Sequence, residues 1–533
     1  MRTEGIPFKD TGYFSRLILD YLDRRPELDS FYGHFPTLEA FKAQIEEKSR
    51  HYPESHREVL CAVLENQYAS QELSEATREH LKNLRNPHTF TVVTGHQLNL
   101  FTGPLYFAYK ILCAIKLASD LKETYPKHDF VPVYWMATED HDFEEINHFN
   151  FRGKEIRWNR ESGGAVGRMK TEGLEAVFAQ FAADLGPGAR AIELRDLFEK
   201  AYLQHTTLSG ATRYLANALF GHYGLVILDA DDPRLKELFI PQMEQDLFEN
   251  LAFQTVSNSI EALNALPGNY KAQVNPRQLN FFYLQEGLRT RLVEEGGTFG
   301  VLESEIRFSE GELRKELRAH PERFSPNVIS RPLYQEVVLP NLCYIGGGGE
   351  LAYWLELREY FNRSGVPFPV LLLRNSALIL SEKQAGKAAR LGLKPAELFG
   401  DPKSLVDNQI RRISEIEIDF NPQREHLKKQ FSDLYKLAEH TDRSFLGAVK
   451  AQEVKQLNGL DRLEKRLLKA QKRKLHDETQ RVRALRESLF PDGGLQERNR
   501  NFAEFYLDYG PDLWDDLLKG FDPLALQFSL FTL

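Results

Sequence analysis

Cysteine is nearly missing from this chain. Cys61, Cys113 and Cys343 are the three it has in 533 residues, and none sits in a C-x-x-C pair. That excludes a disulfide framework and a cysteine-rich zinc site, and it suits a reducing compartment. Long apolar runs are also lacking. Stretches such as 369–373 fall far short of the roughly 20 residues that span a bilayer, and the opening MRTEGIP has no apolar signal region. A cytoplasmic protein without membrane contact is the expectation. A basic excess is absent too: 68 Lys and Arg face 77 Asp and Glu, for a net charge of -9. Nucleic-acid binding, which needs a field that neutralises phosphates, is therefore not expected.

What is present is a globular balance, 42% hydrophobic and 27% charged, in a chain long enough for three to four domains or one large core with insertions. Residues 1–85 read as a helical region, with Phe14, Leu17, Ile18, Tyr21 and Leu22 at helical spacing. Residues 86–150 read as strand, helix, strand: a β-branched run at 89–94, a helical pattern at 105–121 behind Pro104, and a second apolar run at 130–137. That is a βαβ unit and implies a parallel sheet. Short alternating pieces at 151–192 read as a first insertion. The core continues over 193–267, with a strand at 225–230. A second insertion of alternating strands covers 268–322, and 323–379 completes the core with strands at 337–339, 343–345 and 369–373. Residues 380–490 are poor in Gly and Pro, and Leu468, Leu475, Val482 and Leu489 recur every seven residues. That predicts a helical hairpin or coiled coil. The tail at 491–533 ends in an apolar alternation suited to docking on the core.

Four polar constellations could carry chemistry, and those that follow predicted strands stand where open parallel sheets bind ligands. TGHQLNLFTGP at 94–104 offers Thr94, His96, Gln97, Asn99 and Thr102 as hydrogen-bonding groups. Gly95 and Gly103 permit close approach, and the backbone before a helix suits phosphate or carboxylate. The bland alternative is a tight strand–helix turn. EDHD at 139–142 can supply a general base from Asp140, His141 or Asp142, or bind Mg²⁺; the alternative is capping of the following helix. NVISRPLYQE at 327–336 offers Asn327 and Arg331 as binding candidates; the bland alternative is an Arg that satisfies loop carbonyls. Pro332 should hold Arg331 out of helical geometry, aiming its guanidinium at an anion. GGGGELAYW at 346–354 gives Gly346, Gly347 and Gly348 as an anion-accepting turn, with Glu350, Tyr353 and Trp354 in the next helical turn. Lys110 could reach an anion from the first helix but reads rather as a solvated helix residue, and Cys343 reads as a core thiol. No residue set reads as a metal centre, although a metal-dependent hydrolase or phosphotransferase built on Glu139 to Asp142 is an alternative reading.

VTGHQLNLFTGPLY at 93–106, YWMATEDHDFEEIN at 134–147, SPNVISRPLYQE at 325–336 and YIGGGGELAYW at 344–354 together resemble the bacillithiol-biosynthesis cysteine-adding enzyme family, BshC. The resemblance runs in order over most of the chain. It implies an α/β fold with a Rossmann-like parallel-sheet core related to class I aminoacyl-tRNA synthetases and nucleotidyltransferases, two connecting insertions, and a C-terminal coiled coil that supports a homodimer. It also implies ligation of cysteine to the amine of glucosaminyl-malate, the last step of bacillithiol synthesis. Amide formation then calls for an activated carboxylate, hence ATP or another adenine nucleotide, with Mg²⁺. His96, Asp140, His141 and Asp142 become the catalytic candidates, and Arg331 the holder of the malate carboxylates. TGHQ departs from the class I signature His-x-Gly-His, and no Lys-Met-Ser-Lys-Ser loop is evident.

Overall fold

The structure, a computed structural model, describes residues 1–441 and 443–533. Its centre is a five-stranded parallel sheet: β1 (Thr89–His96), β2 (Asp129–Met136), β3 (Val226–Asp229), β4 (Asn341–Gly346) and β5 (Val370–Leu373). The order across the sheet is β5-β4-β1-β2-β3, with every pairing parallel. Parallel neighbours need crossovers, which cover both faces. Accordingly β1, β4 and β5 are buried along their whole length. The helix α1 (Tyr106–Thr124) crosses from β1 to β2 and is itself buried on most sides. The Rossmann-like parallel core is thus as the sequence predicts. All five strands end on the same edge, so their carboxyl ends collect the polar turns.

The first insertion opens with the hairpin His148–Phe151 and Lys154–Arg157. The second is a meander of strands from Phe281–Gln285 to Arg307–Ser309, to which Phe324–Pro326 is added. The returning segment differs from expectation. Val337 and Val338 are not a strand but the end of the helix α2 (Ser330–Val338). Their β-branched pair reads as strand locally, but they are buried here on a helix next to β4. Arg331 also differs: it lies inside α2, because Pro332 falls in the helix's first turn, where proline's missing N–H costs nothing. A glycine turn leads from β4 into the short helix α3 (Gly348–Trp354).

Residues 1–85 are not wholly helical. Arg2–Pro7 is a strand, paired antiparallel to Gln527–Thr532, which in turn runs parallel to Ser376–Leu380. RTEGIP carries no strand pattern of its own, so this strand is made by its partner 520 residues away. The C-terminal region packs Asn421–Glu439 against Arg443–Lys474 as an antiparallel hairpin around Phe431, Ala438 and Val449. The heptad at 468–489 does not form one seam. Leu475 leaves helical geometry at φ −100° and ψ 40° and starts a new helix, His476–Leu489. There Val482, Leu485 and Leu489 are buried in the chain's own core. Among the described residues no helix is long and apolar enough to cross a membrane.

Candidate active site

At the carboxyl ends of the strands lies a cavity of ≈ 490 Å³. β1 contributes Gly95 and His96, with Gln97 just beyond. β2 is followed by Glu139 and Asp140, β4 by Gly347 and Glu350, and β5 by Arg374. α2 adds Arg331 and α1 adds Lys110. Arg289 enters from the second insertion and Arg498 from the C-terminal segment. Five cations and three carboxylates therefore line it, a balance that favours an anionic ligand.

The charges are wired, not loose. Lys110, 4% exposed, pairs with Glu350 Oε2 at 2.6 Å and donates to the Gly95 carbonyl at 2.7 Å. Glu350 also accepts from Tyr344 Oη at 2.8 Å and from the Gly347 N–H at 2.8 Å. Burial pushes the Glu350 carboxyl up, but the Lys110 charge and these hydrogen bonds prevail and bring it down to about 2. Arg374, buried at the end of β5, donates to Glu497 Oε1 at 2.6 Å, and to the Asn375 carbonyl and Ser376 Oγ at 3.0 Å each. Glu497 is itself fully buried. Arg331 donates to Gln335 Oε1 at 3.1 Å. On the arginines that line this cavity, two guanidinium nitrogens are buried without a hydrogen-bond partner, Arg331 Nη2 and Arg374 Nε. Such a donor carries a desolvation cost of about 1–3 kcal/mol unless something fills it.

The β2 end behaves differently. Asp140 Oδ2 accepts from Gln97 Nε2 at 2.8 Å and its Oδ1 from the His141 N–H at 2.7 Å. Burial pushes this carboxyl up, but those bonds and the Arg289 charge hold it well below the usual carboxylate range. Glu139 Oε1 accepts from the buried Lys236 at 2.6 Å. Arg289 stacks on Phe282 at 4.0 Å and donates to His141 Nδ1 at 2.7 Å. Glu139, Asp140 and His141 thus point to three different partners, Lys236, Gln97 and Arg289. Among the described residues no group of three or more His, Cys, Asp or Glu is placed to share a metal ion. His96 gives its Nδ1 hydrogen to the Gln97 carbonyl at 2.9 Å, since a carbonyl can only accept. Burial and the nearby Lys110 bring its pKa down to about 3, so the ring is neutral with Nε2 as an acceptor.

Of the residues the sequence singles out, the cavity gathers Gly95, His96, Gln97, Asp140, Asn327, Arg331, Gly347, Glu350 and Tyr353. Asn327 also caps α2, its Oδ1 accepting from the Ile329 N–H at 2.8 Å. The others lie outside the lining. Thr94 spends its hydroxyl on the Ile345 carbonyl at 2.9 Å. Thr102 is buried behind the loop at φ +67°. At Gly346 a Cβ would stand 2.7 Å from Leu351 Cδ1, and Gly348 packs by Ile18. Trp354 stacks on Tyr344 at 4.4 Å in the core. His141 and Asp142 are exposed, and Asp142 precedes the short helix Phe143–Ile146 without a side-chain cap bond. Asn99 lines a neighbouring pocket, and Gly103 packs against the Asn99 side chain. Lys110 is a correction: it is a buried cation of the site, not a solvated helix residue. Its signal was a lone Lys in the apolar stretch 105–115. Arg374 follows the apolar strand 369–373 and was legible by the same strand-end logic as the others. Arg289 sits in an alternating strand and carries no such signal.

Residues 1–375 match the family described as "Bacillithiol biosynthesis BshC, N-terminal Rossmann-like domain", and residues 377–533 match its "C-terminal coiled-coil domain". The chain is 54% identical over 536 residues to "Putative cysteine ligase BshC" of Christiangramia forsetii, covering 100% of this chain and 99% of the relative. It is 52% identical over 533 residues to the protein of the same name from Flavobacterium johnsoniae, covering 100% of both. With that of Salinibacter ruber it shares 31% over 519 residues, 95% of this chain and 94% of the relative. The fold, the polar strand ends and these matches along the full length agree: the chain belongs to the bacillithiol biosynthesis BshC family.

Proposed function

We propose that this protein is the cysteine ligase of bacillithiol synthesis, joining the cysteine carboxylate to the glucosamine amine of glucosaminyl-malate. The relatives' name supports the ligase activity. The acceptor is supported by one observation above others: the two buried, unpartnered guanidinium nitrogens of Arg331 and Arg374 in a single cavity. A malate group brings two carboxylates, and charge-assisted bonds to them would satisfy both donors. The surplus of positive charge also disfavours an ammonium ion, so the glucosamine nitrogen is held as the free amine that attack requires. Asp140, ionised across the physiological range, accepts an amine N–H and orients the nitrogen; it is too weakly basic to take the proton outright. The C–N bond forms as the bond from the cysteine carbonyl carbon to its activated oxygen breaks; the leaving oxygen takes that electron pair, and the proton the amine loses passes to it or to water. ATP or another adenine nucleotide, with Mg²⁺, would supply that activation. Arg289 and Arg498 fit its phosphate oxygens. The metal-hydrolase alternative loses support, because Glu139, Asp140 and His141 diverge to Lys236, Gln97 and Arg289.

The test is the low-molecular-weight thiol profile, by mass spectrometry, of a source strain lacking the gene and restored with wild-type or Arg331→Gln copies. Loss of bacillithiol with accumulation of glucosaminyl-malate, rescued by the wild-type copy alone, is expected. An unchanged profile in the deletion strain refutes the ligase reading.

A further inference from the structure

A second cavity, of ≈ 410 Å³, adjoins the first and shares Gln97, Tyr106 and Arg498 with it. Its far wall holds Asn99, Glu145 and Phe149. Asn99 is 7% exposed. Its Nδ2 donates to the Glu145 carbonyl at 3.4 Å, while its Oδ1 is buried and unpartnered among the described residues. Gly103, at φ +60°, makes room for this amide: a Cβ there would stand 2.7 Å from Asn99 Cβ. Glu145 sets a carboxylate in the same pocket, its Oε2 accepting from Gln97 Nε2 at 2.9 Å. Phe149 closes the wall, its ring held by Phe101 and Phe181.

A buried amide oxygen without a donor calls for an N–H, and a carboxylate beside it makes a cationic donor the favoured one. The geometry points to this annex as the subsite for an α-amino-acid zwitterion, which under the ligase reading is cysteine. Its ammonium group sits on Asn99 Oδ1 and Glu145. Its carboxylate faces Arg498 and the shared wall, where the main cavity begins. Its sulfur lies against the Phe149 ring, a contact that thiols and thioethers favour. The placement has a chemical consequence. A bound ammonium next to a carboxylate stays protonated, so the nitrogen of the amino acid is not a nucleophile, and the glucosamine amine across the wall is left to attack the activated carboxyl group.

This inference rests on the proposed reaction, and calorimetric titration of the full-length protein separates the two. L-cysteine should bind. 3-Mercaptopropionate, which lacks the ammonium group, should bind at least tenfold more weakly. Glu145→Gln, at an exposed position, and Asn99→Leu, checked for folding by thermal melt, should each weaken L-cysteine at least tenfold and leave glucosaminyl-malate unchanged. Arg331→Gln should do the reverse. Cysteine affinity untouched by both annex variants, or abolished by Arg331→Gln alone, overturns the subsite. If wild-type protein binds no cysteine yet restores bacillithiol in the deletion strain, the subsite falls and the ligase reading stands. If bacillithiol is not restored, the ligase reading itself has failed.

Discussion

Replacing Glu350 by Gln tests the electrostatic frame of the cavity. In the folded chain the Glu350 carboxyl is brought from an ordinary 4.5 to about 2, burial opposing the shift and Lys110 with three hydrogen bonds driving it. At 1.36 kcal/mol per pKa unit, that gap represents about 3 kcal/mol of folding stability at neutral pH. The folded value lies below the unfolded one, so the contribution is complete above about pH 5.5. It falls as acid protonates the group, reaching roughly half near pH 3 and vanishing below pH 2. Burial lowers the Lys110 ammonium's own pKa and offsets part of the gain, so the pair as a unit contributes less than Glu350 considered alone. Removing the carboxylate, however, also strands Lys110 beneath the sheet. The expected loss in Glu350→Gln is therefore about 3 kcal/mol at pH 7, within the range for breaking a buried pair. Urea unfolding of wild type and variant at pH 7 and pH 3.5 measures it. The gap between the two proteins should narrow with acid. A gap below about 1 kcal/mol at pH 7, or one that does not change with pH, refutes the assignment of Glu350 as the counter-charge of Lys110.

Glu497→Gln should cost about 3–5 kcal/mol, because it leaves Arg374 buried without its partner at 2.6 Å; a melting temperature within a degree of wild type would contradict this. Gly103→Ala should lower the urea midpoint by about 1–3 kcal/mol of stability, through its positive φ and the contact with Asn99, and an unmoved midpoint would speak against strain at that turn. Lys236→Met removes the ion-pair partner of Glu139 and leaves it only the more distant charge of Arg289. Burial already raises the Glu139 carboxyl, so its folded pKa should climb further and the variant should lose more stability at pH 8 than at pH 5.5. Equal losses at the two pH values would show that Glu139 does not depend on Lys236.

The parallel core was legible because its strands are buried on both faces and read as unbroken apolar or β-branched runs, such as 89–94 and 369–373. The strand-end turns were legible for the same reason, since polar groups leaving a buried strand stand out. Misreadings arose where tertiary partners decide. Val337 and Val338 have strand composition but complete a helix begun at Ser330. Arg2–Pro7 is a strand through pairing with Gln527–Thr532 alone. The heptad at 468–489 was read correctly as part of the coiled-coil domain, and Leu468, Leu475, Val482 and Leu489 all pack on the chain's own core, one of the two partners that their spacing allowed.

The site shows a related division. His96, Asp140 and Glu350 stand at a strand end, just after one, or in the first turn of the helix that follows one, where a polar residue draws notice. Arg374 and Lys110 matter because of what buries them, and part of that comes from the far end of the chain. Glu497 fixes the Arg374 fork and binds the Ala377 N–H at 2.9 Å. Asn501 Nδ2 donates to the Phe101 and Gly103 carbonyls at 2.8 and 2.7 Å, holding the loop that carries Asn99. The Leu105 N–H donates to the Arg500 carbonyl at 2.8 Å, and Arg498 lines both cavities. Residues 497–501 therefore hold the β1 loop and the β5 end together from outside the sheet. A perturbation that loosens this segment should be felt as lost ligand affinity before it is felt as lost core structure, because the parallel strands keep their own pairings while the two anion-facing arginines lose their supports.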